Sequence, residues 1–229
     1  MGWKTFYSAN ESTFKALFDQ GQSWGELMTL RMTISGVVHY GAGVLSLSPT
    51  VYLQSPKIRI TYGLMVSKAK VRYKIYVIAE PYTEGSVSIG FIGYKNDETC
   101  EDEGGYDYHG ASIHIQNTQD TVAFQQYDMD IEIDGNTLKL KIDGVDLGTF
   151  RLDAVPASFT VACRVADVVS GGSVGVAVTE VVGEYYDMME DVMGQVMSMM
   201  NIMMWVMIAV VVISVIVSLF RRRKEGGGG

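Results

Sequence analysis

Apolar and polar residues alternate along most of this chain with a period of two, and the alternation gives way to continuous apolarity only near the end. Residues 12–18 (Ser12 to Phe18) suggest one short helix. From Leu27 onwards Val, Ile, Thr and Tyr dominate, and the alternation recurs between Gly, Asn and Asp turns. That pattern predicts half-buried strands. Leu27 to Tyr40 reads as one or two strands. Further strands are expected at 43–48, 50–54, 57–66, 69–79, 86–93, 110–116, 121–125, 128–133, 137–142, 147–151, 158–165 and 173–181. A dozen short strands with no helical pattern between them predict an all-β antiparallel sandwich or barrel.

The hairpin at 128–143 is the sharpest expectation. Asp128, Asp130, Glu132 and Asp134 alternate with Met129, Ile131 and Ile133, and Gly135-Asn136 follows as a two-residue turn. Gly in the first turn position supplies the positive φ of a type II′ turn. Such a turn pairs Ile133 with Leu138, Glu132 with Lys139, Ile131 with Leu140, Asp130 with Lys141 and Met129 with Ile142. Apolar pairs then share one face and opposite charges the other. Each pair contributes roughly 0.2–1 kcal/mol.

This hairpin, with Asp143-Gly144 and Leu147-Gly148-Thr149-Phe150 after it, resembles the late strands of concanavalin-A-like and laminin-G-like jelly rolls. Ser88-Ile89-Gly90-Phe91, Gly110 to Ile115 and Gly172 to Val178 are similar to other strands of that family, so the resemblance spans about residues 57–182. It implies a jelly-roll sandwich and, more loosely, glycan binding. It carries no catalytic motif, and fold alone does not assign function.

After Gly183 the pattern changes. Tyr185, Met189, Val192, Val196, Met199, Met203, Val206, Val210, Ile213, Val217 and Phe220 follow 4-3 spacing. A helix is expected from near Glu184, and this seam suits a homo-oligomeric stalk, although Gly194 interrupts it and flanking ion pairs are few. Residues 202–220 contain no charge and end on Arg221, Arg222, Arg223 and Lys224. About 20 apolar residues cover a ~30 Å hydrocarbon core. The expected organisation is an N-terminal segment at 1–26, a β-sandwich at 27–182, a helical stalk at 183–201, a membrane helix at 202–220 and a basic tail at 221–229. Trp205 and the four basic residues would anchor the helix at the bilayer.

Charge sharpens this picture. Formal net charge is −8; the tail's four basic residues and Glu225 leave +3 there and −11 over residues 1–220. An acidic domain argues against nucleic acid as partner. Basic residues beside a span favour the cytoplasmic side, which places the β-domain outside a cell or on a virion, an archaeal virus among the sources that fit. The N-terminus shows no apolar run of secretory-signal type, which pulls the other way. Asn10-Glu11-Ser12 matches a glycosylation sequon. Cys100 and Cys163 carry no metal spacing; an exterior location would permit one disulfide between them, but Cys163 lies in an apolar alternation that suits a buried thiol, which favours a free pair.

Three sets of residues are candidates for chemistry. Asp130 and Glu132 share a strand face, and paired carboxylates ~5–9 Å apart serve glycoside hydrolysis; ion pairing with Lys139 and Lys141 on a solvated face explains them without catalysis and is the preferred reading. Asp97, Glu101, Asp102 and Asp107 lie in an acidic loop whose oxygens could surround Ca²⁺, as is common among the lectin-like sandwiches the chain resembles, although the spacing is not that of an EF-hand. Tyr94, Tyr106 and Tyr108 could stack on sugar rings. His39, His109 and His114 form no zinc or triad spacing. The expectation is a membrane-anchored binding or structural surface protein, attaching to a glycan or protein. A membrane-tethered glycoside hydrolase using Asp130 and Glu132 is the alternative, and a cytoplasmic-facing tail-anchored scaffold is a third reading.

Overall fold

The computed structural model describes residues 2–46, 51–169 and 172–225, with side-chain surroundings undefined at 46, 190–191 and 219–225. The expected strand ends at 47–50, the turn at 171 and the terminal glycines therefore lie outside the described residues, as do the side chains of Arg221 to Lys224. Fourteen strands and two helices are formed among the described residues. They are β1 (Trp3–Ala9), α1 (Glu11–Asp19), β2 (Met28–Ile34), β3 (Val37–Ser46), β4 (Val51–Gln54), β5 (Ile58–Arg59), β6 (Lys68–Ala79) and β7 (Thr83–Lys95). Then come β8 (Glu98–Thr99), β9 (Tyr108–Asn117), β10 (Ala123–Asp134), β11 (Thr137–Ile142), β12 (Val145–Arg151), β13 (Ser158–Ala166), β14 (Val174–Tyr186) and α2 (Met189–Glu225).

The strands make two antiparallel sheets. The larger runs β12-β11-β10-β6-β14-β3-β2, with β1 also on β14; the smaller runs β4-β13-β7, with β9 and β8 on β7 and β5 on β13. The chain passes repeatedly from one sheet to the other, which is the expected jelly-roll sandwich. The 128–143 hairpin takes the predicted register at all five pairs, and Gly135 has φ 61°. Inward residues of both sheets form one core, among them Tyr73, Ile75, Met129, Ile131, Leu140, Val87, Ile89 and Val161. Phe91 and Phe159 stack at its centre with ring centroids 5.3 Å apart.

Several boundaries differ from the sequence pattern: the strand expected at 57–66 shortens to Ile58–Arg59, and those expected at 121–125 and 128–133 are one strand, Ala123–Asp134, held along its length by β6. The N-terminal segment holds the expected helix but also β1, which pairs Trp3–Ala9 with Tyr186–Val181. Because β1 supplies one ladder and β6 the other, residues 183–186 stay extended where a helix was predicted from Glu184. Helix α1 begins at Asn10, whose side-chain oxygen accepts from the backbone N–H of Ser12 and Thr13 in a capping box. The sequon asparagine is thus a helix cap.

The C-terminal helix forms a compact unit separate from the sandwich. Its stretch Val192–Ser218 has 27 residues, and its most apolar 18-residue window has a mean hydropathy of 2.6 and is fully exposed. By length and composition it is able to cross a membrane.

Candidate functional site

Strand alternation decides which side chains leave the core of the smaller sheet. Leu53, Val161, Cys163, Ile89, Phe91 and Ala111 pack inward, so their neighbours point out. Registers then line these up across four strands. One row is Tyr52, Arg164, Ser88 and Ser112; the next is Gln54, Ala162, Gly90 and Gly110. A recess of about 560 Å³ opens on this face, lined by Tyr52, Gln54, Tyr94, Asp107, Tyr108 and Arg164 among others. Ile92 and Ala162 are buried beneath it with Tyr94.

The small residues make the recess. Gly90 and Gly110 face each other across β7 and β9, and the Tyr108 ring lies over both: a Cβ on Gly90 would fall 2.7 Å from the ring and one on Gly110 2.7 Å from its hydroxyl. Tyr52 meets Tyr108 edge-to-face at 6.5 Å. The Tyr94 hydroxyl donates to Gln54 Oε1 at 3.0 Å, and Thr160 donates to the same oxygen at 3.3 Å. Gln54 Nε2 in turn donates to the Tyr52 hydroxyl at 3.5 Å, which leaves its second amide N–H to offer a ligand. Lys57 Nζ lies 4.3 Å from the Tyr94 ring centroid. The Tyr108 phenol oxygen is buried and makes no hydrogen bond of normal geometry; burial pushes its pKa well above the usual phenol value, against the smaller pull of the nearby Ser88 hydroxyl.

Of the three tyrosines singled out in the sequence, Tyr94 and Tyr108 line this recess on strands, while Tyr106 is 69% exposed outside it. Sequence reasoning missed Tyr52, Gln54 and Arg164. Arg164 did carry a signal, as the only charge in the strand Ser158–Ala166, otherwise built of apolar and small polar residues.

The acidic row of β10 lies on the opposite outer surface, that of the larger sheet. Asp128, Asp130, Glu132 and Asp134 stand in register with Lys74, Arg72, Lys70 and Lys68 of β6. Lys141 reaches Glu132 at 3.7 Å, Lys68 reaches Asp134 at 2.9 Å, and Lys139 turns instead to Asp146 at 2.9 Å. Beyond β6, Glu184 receives Arg72 at 3.2 Å. Rows of opposite charge thus alternate across three strands, which explains the carboxylates as members of a solvated ion-pair lattice. A smaller recess of about 260 Å³ lies among Asp130, Glu132 and these cations.

The acidic loop is organised by its own backbone. Asp102 Oδ1 accepts from the N–H groups of Gly104 at 2.8 Å and Tyr106 at 3.0 Å, and the Tyr106 N–H chiefly holds its carboxyl below the usual range. Asp107 faces the aromatic recess instead. Among the described residues no three His, Cys, Asp or Glu side chains converge in a group able to hold a metal ion. The four expected calcium ligands, Asp97, Glu101, Asp102 and Asp107, are accordingly not gathered into one. His109, 2% exposed, points inward, its Nδ1 3.9 Å from Asp102 and its Nε2 without a partner. Burial lowers its pKa, against the pull of Asp102 and Asp107. Cys100 and Cys163 are both buried free thiols, their pKa values pushed up by burial to about 11 and about 12.

Fold and recess together define the class: an antiparallel jelly-roll sandwich with an aromatic, hydrogen-bonding depression on the outer face of its smaller sheet. No protein-family model matches the sequence, and no curated protein does. Among solved structures the chain is similar to the carbohydrate recognition domain of Emp47p, at 8% identity over 80% of this chain and 96% of that one, with a TM-score of 0.40. It is similar to the laminarinase catalytic domain from Thermotoga maritima MSB8, at 10% identity over 81% and 99%, TM-score 0.38. A third is the Crh5 transglycosylase in complex with NAG, at 10% identity over 81% and 84%, TM-score 0.43. At such identities and scores the likeness transfers neither ligand nor reaction to this chain.

Proposed function

We propose that this chain is a membrane-anchored saccharide-binding module, with its ligand on the outer face of the smaller sheet and α2 in a lipid bilayer. The recess of about 560 Å³ carries this reading. Sugar rings present C–H faces and hydroxyl edges, and they suit a surface that mixes aromatic rings with a few placed polar groups. Tyr52 and Tyr108 offer the rings; the Gln54 amide, Asp107 and Arg164 offer hydrogen bonds at the rim. The lattice around Asp130 and Glu132 supports an electrostatic role for those residues over a hydrolytic one.

Lipid is the partner of α2 in this reading. A bare apolar helix of 27 residues would leave a large hydrophobic surface in water, which soluble proteins avoid. At 1.5 Å per residue it is about 40 Å long against a hydrocarbon core of ~30 Å, so part of it stands clear of the core or the helix tilts. The basic run at 221–224 favours a C-terminus in the cytoplasm and a sandwich outside. The 4-3 seam supports self-association in the bilayer. A cell surface meets these requirements as well as a virion does.

The test is full-length chain in lipid nanodiscs on a glycan array, beside Tyr52→Ala. Saccharide binding that the substitution weakens at least tenfold is expected. A silent array with release of reducing ends from a polysaccharide panel, abolished in Glu132→Gln, would replace this reading with the hydrolase.

A further inference from the structure

We propose that the saccharide carries a carboxylate, held by the Arg164 guanidinium with the Tyr108 phenol beside it as a second donor. The proposal rests on the recess being the binding site and names the class of ligand it takes.

Arg164 stands on the central strand of the smaller sheet, with Tyr52 opposite it on one side and Ser88 on the other. The inward residues on either side of it, Cys163 and Val165, are fully buried. It is exposed at the recess. Among the described residues it forms no ion pair and no hydrogen bond, whereas Lys68, Arg72, Lys139 and Lys141 on the larger sheet each reach a carboxylate. A cation left unpaired in the middle of a sheet face has its five N–H donors free, in a fork matched to a planar carboxylate.

Tyr108 points to the same ligand. Its hydroxyl is buried and makes no hydrogen bond of normal geometry; the Ser88 hydroxyl and the Arg164 charge both lie near enough to act on it. A buried hydroxyl so poorly served is costly, and native proteins seldom leave one. The ring cannot move deeper, because the Gly90 and Gly110 backbones are already against it. Both groups are donors here, so what they lack is an acceptor. A carboxylate supplies two oxygens and can serve both, while a neutral sugar hydroxyl brings a proton of its own and one weaker acceptor. Asp107, on the recess wall, accepts only and suits the sugar's remaining hydroxyls.

The experiment compares four probes on full-length chain in nanodiscs by calorimetry. They are a glucuronate-terminated tetrasaccharide with its carboxyl-reduced form, and sialyllactose with lactose. At least tenfold tighter binding of one acidic member over its neutral counterpart is expected, and whichever pair shows it separates uronate from sialate. Arg164→Gln is expected to erase that preference, Tyr108→Phe to reduce it, and Arg72→Gln on the larger sheet to leave it intact. Equal binding of acidic and neutral members, lost in Tyr52→Ala, overturns the carboxylate while the recess stands. An acid preference that survives Arg164→Gln overturns the assignment to Arg164. Binding indifferent to both Tyr52→Ala and Arg164→Gln overturns the recess itself.

Discussion

Tyr108 lies across Gly90 so closely that a methyl group at Gly90 would fall 2.7 Å from two of its ring carbons and 2.4 Å from the His109 carbonyl oxygen. The glycine is therefore a seat for the aromatic ring, a use of glycine within a strand that accompanies close approach. Its φ is ordinary, so the constraint is steric and not conformational.

Gly90→Ala is accordingly expected to destabilise the sandwich by about 1–3 kcal/mol, the usual range for overpacking, and to lift Tyr108 from the sheet. Because one of the clashing atoms is backbone, a side-chain rotation alone does not relieve it. Urea unfolding measures the loss, and tyrosine fluorescence polarisation follows the ring. A variant as stable as the parent would mean that β7 and β9 separate freely at this pair.

This contact also marks where the sequence stopped being legible. The 128–143 hairpin could be read to the residue because its turn fixes its register and its two faces differ in kind. The recess could not. Its parts, Tyr52, Tyr108, Arg164 and Ser88, come from four strands, and no local pattern states which strands are neighbours in a sheet. Tyr94 and Tyr108 were visible only as tyrosines near turns, and Arg164, the one charge in an otherwise apolar and small polar strand, was passed over. Residues 183–186 misled for another reason. Glu184, Tyr185 and Tyr186 there form too short a run to show a strand or a helix period, and the β1 ladder that settles the matter lies at the other end of the chain.

The two faces of β10 separate stability from surface charge. Ile131 is fully buried, and Ile131→Ala is expected to cost about 2–5 kcal/mol through lost burial and the cavity left behind. Glu132, one position on, meets Lys141 at 3.7 Å in an exposed pair. Glu132→Gln is expected to change stability by less than about 1 kcal/mol, since exposed ion pairs contribute little. Chemical denaturation of both variants gives the comparison. A cost at Glu132 approaching that at Ile131 would show the carboxylate embedded in something more than a solvated lattice.

Acid should weaken the fold in two separate windows. Burial lowers the pKa of His109 below its ordinary 6.5, so the unfolded chain takes up that proton first. Stability is then level above about pH 7 and falls as pH drops through the unfolded value towards the lower folded one. Asp102 acts further down. Its folded pKa lies below the ordinary 3.8, chiefly through the Tyr106 N–H, so its contribution is present above that value and lost as pH falls beneath it. Urea midpoints measured from pH 8 to pH 3 should show both steps, and His109→Gln should flatten the first while sparing the second. A first step that persists in that variant would assign it to another group.

The anchor is open to the most direct test of all. Val211 sits near the centre of the uncharged stretch 202–220 and is 61% exposed. An arginine at a helix centre costs about 2.5–3.5 kcal/mol of insertion free energy, against a helix whose remaining Val and Ile residues favour lipid. Wild-type chain should stay with membranes through an alkaline carbonate wash, and Val211→Arg should appear partly in the supernatant with its sandwich still folded. The same substitution at an exposed site on the sandwich, Val145→Arg, should leave membrane retention unchanged, which separates insertion from a general effect of charge. If wild-type chain washed free as readily as Val211→Arg, α2 would need a protein partner instead of lipid, and the seam of 4-3 residues would be the first place to look for it.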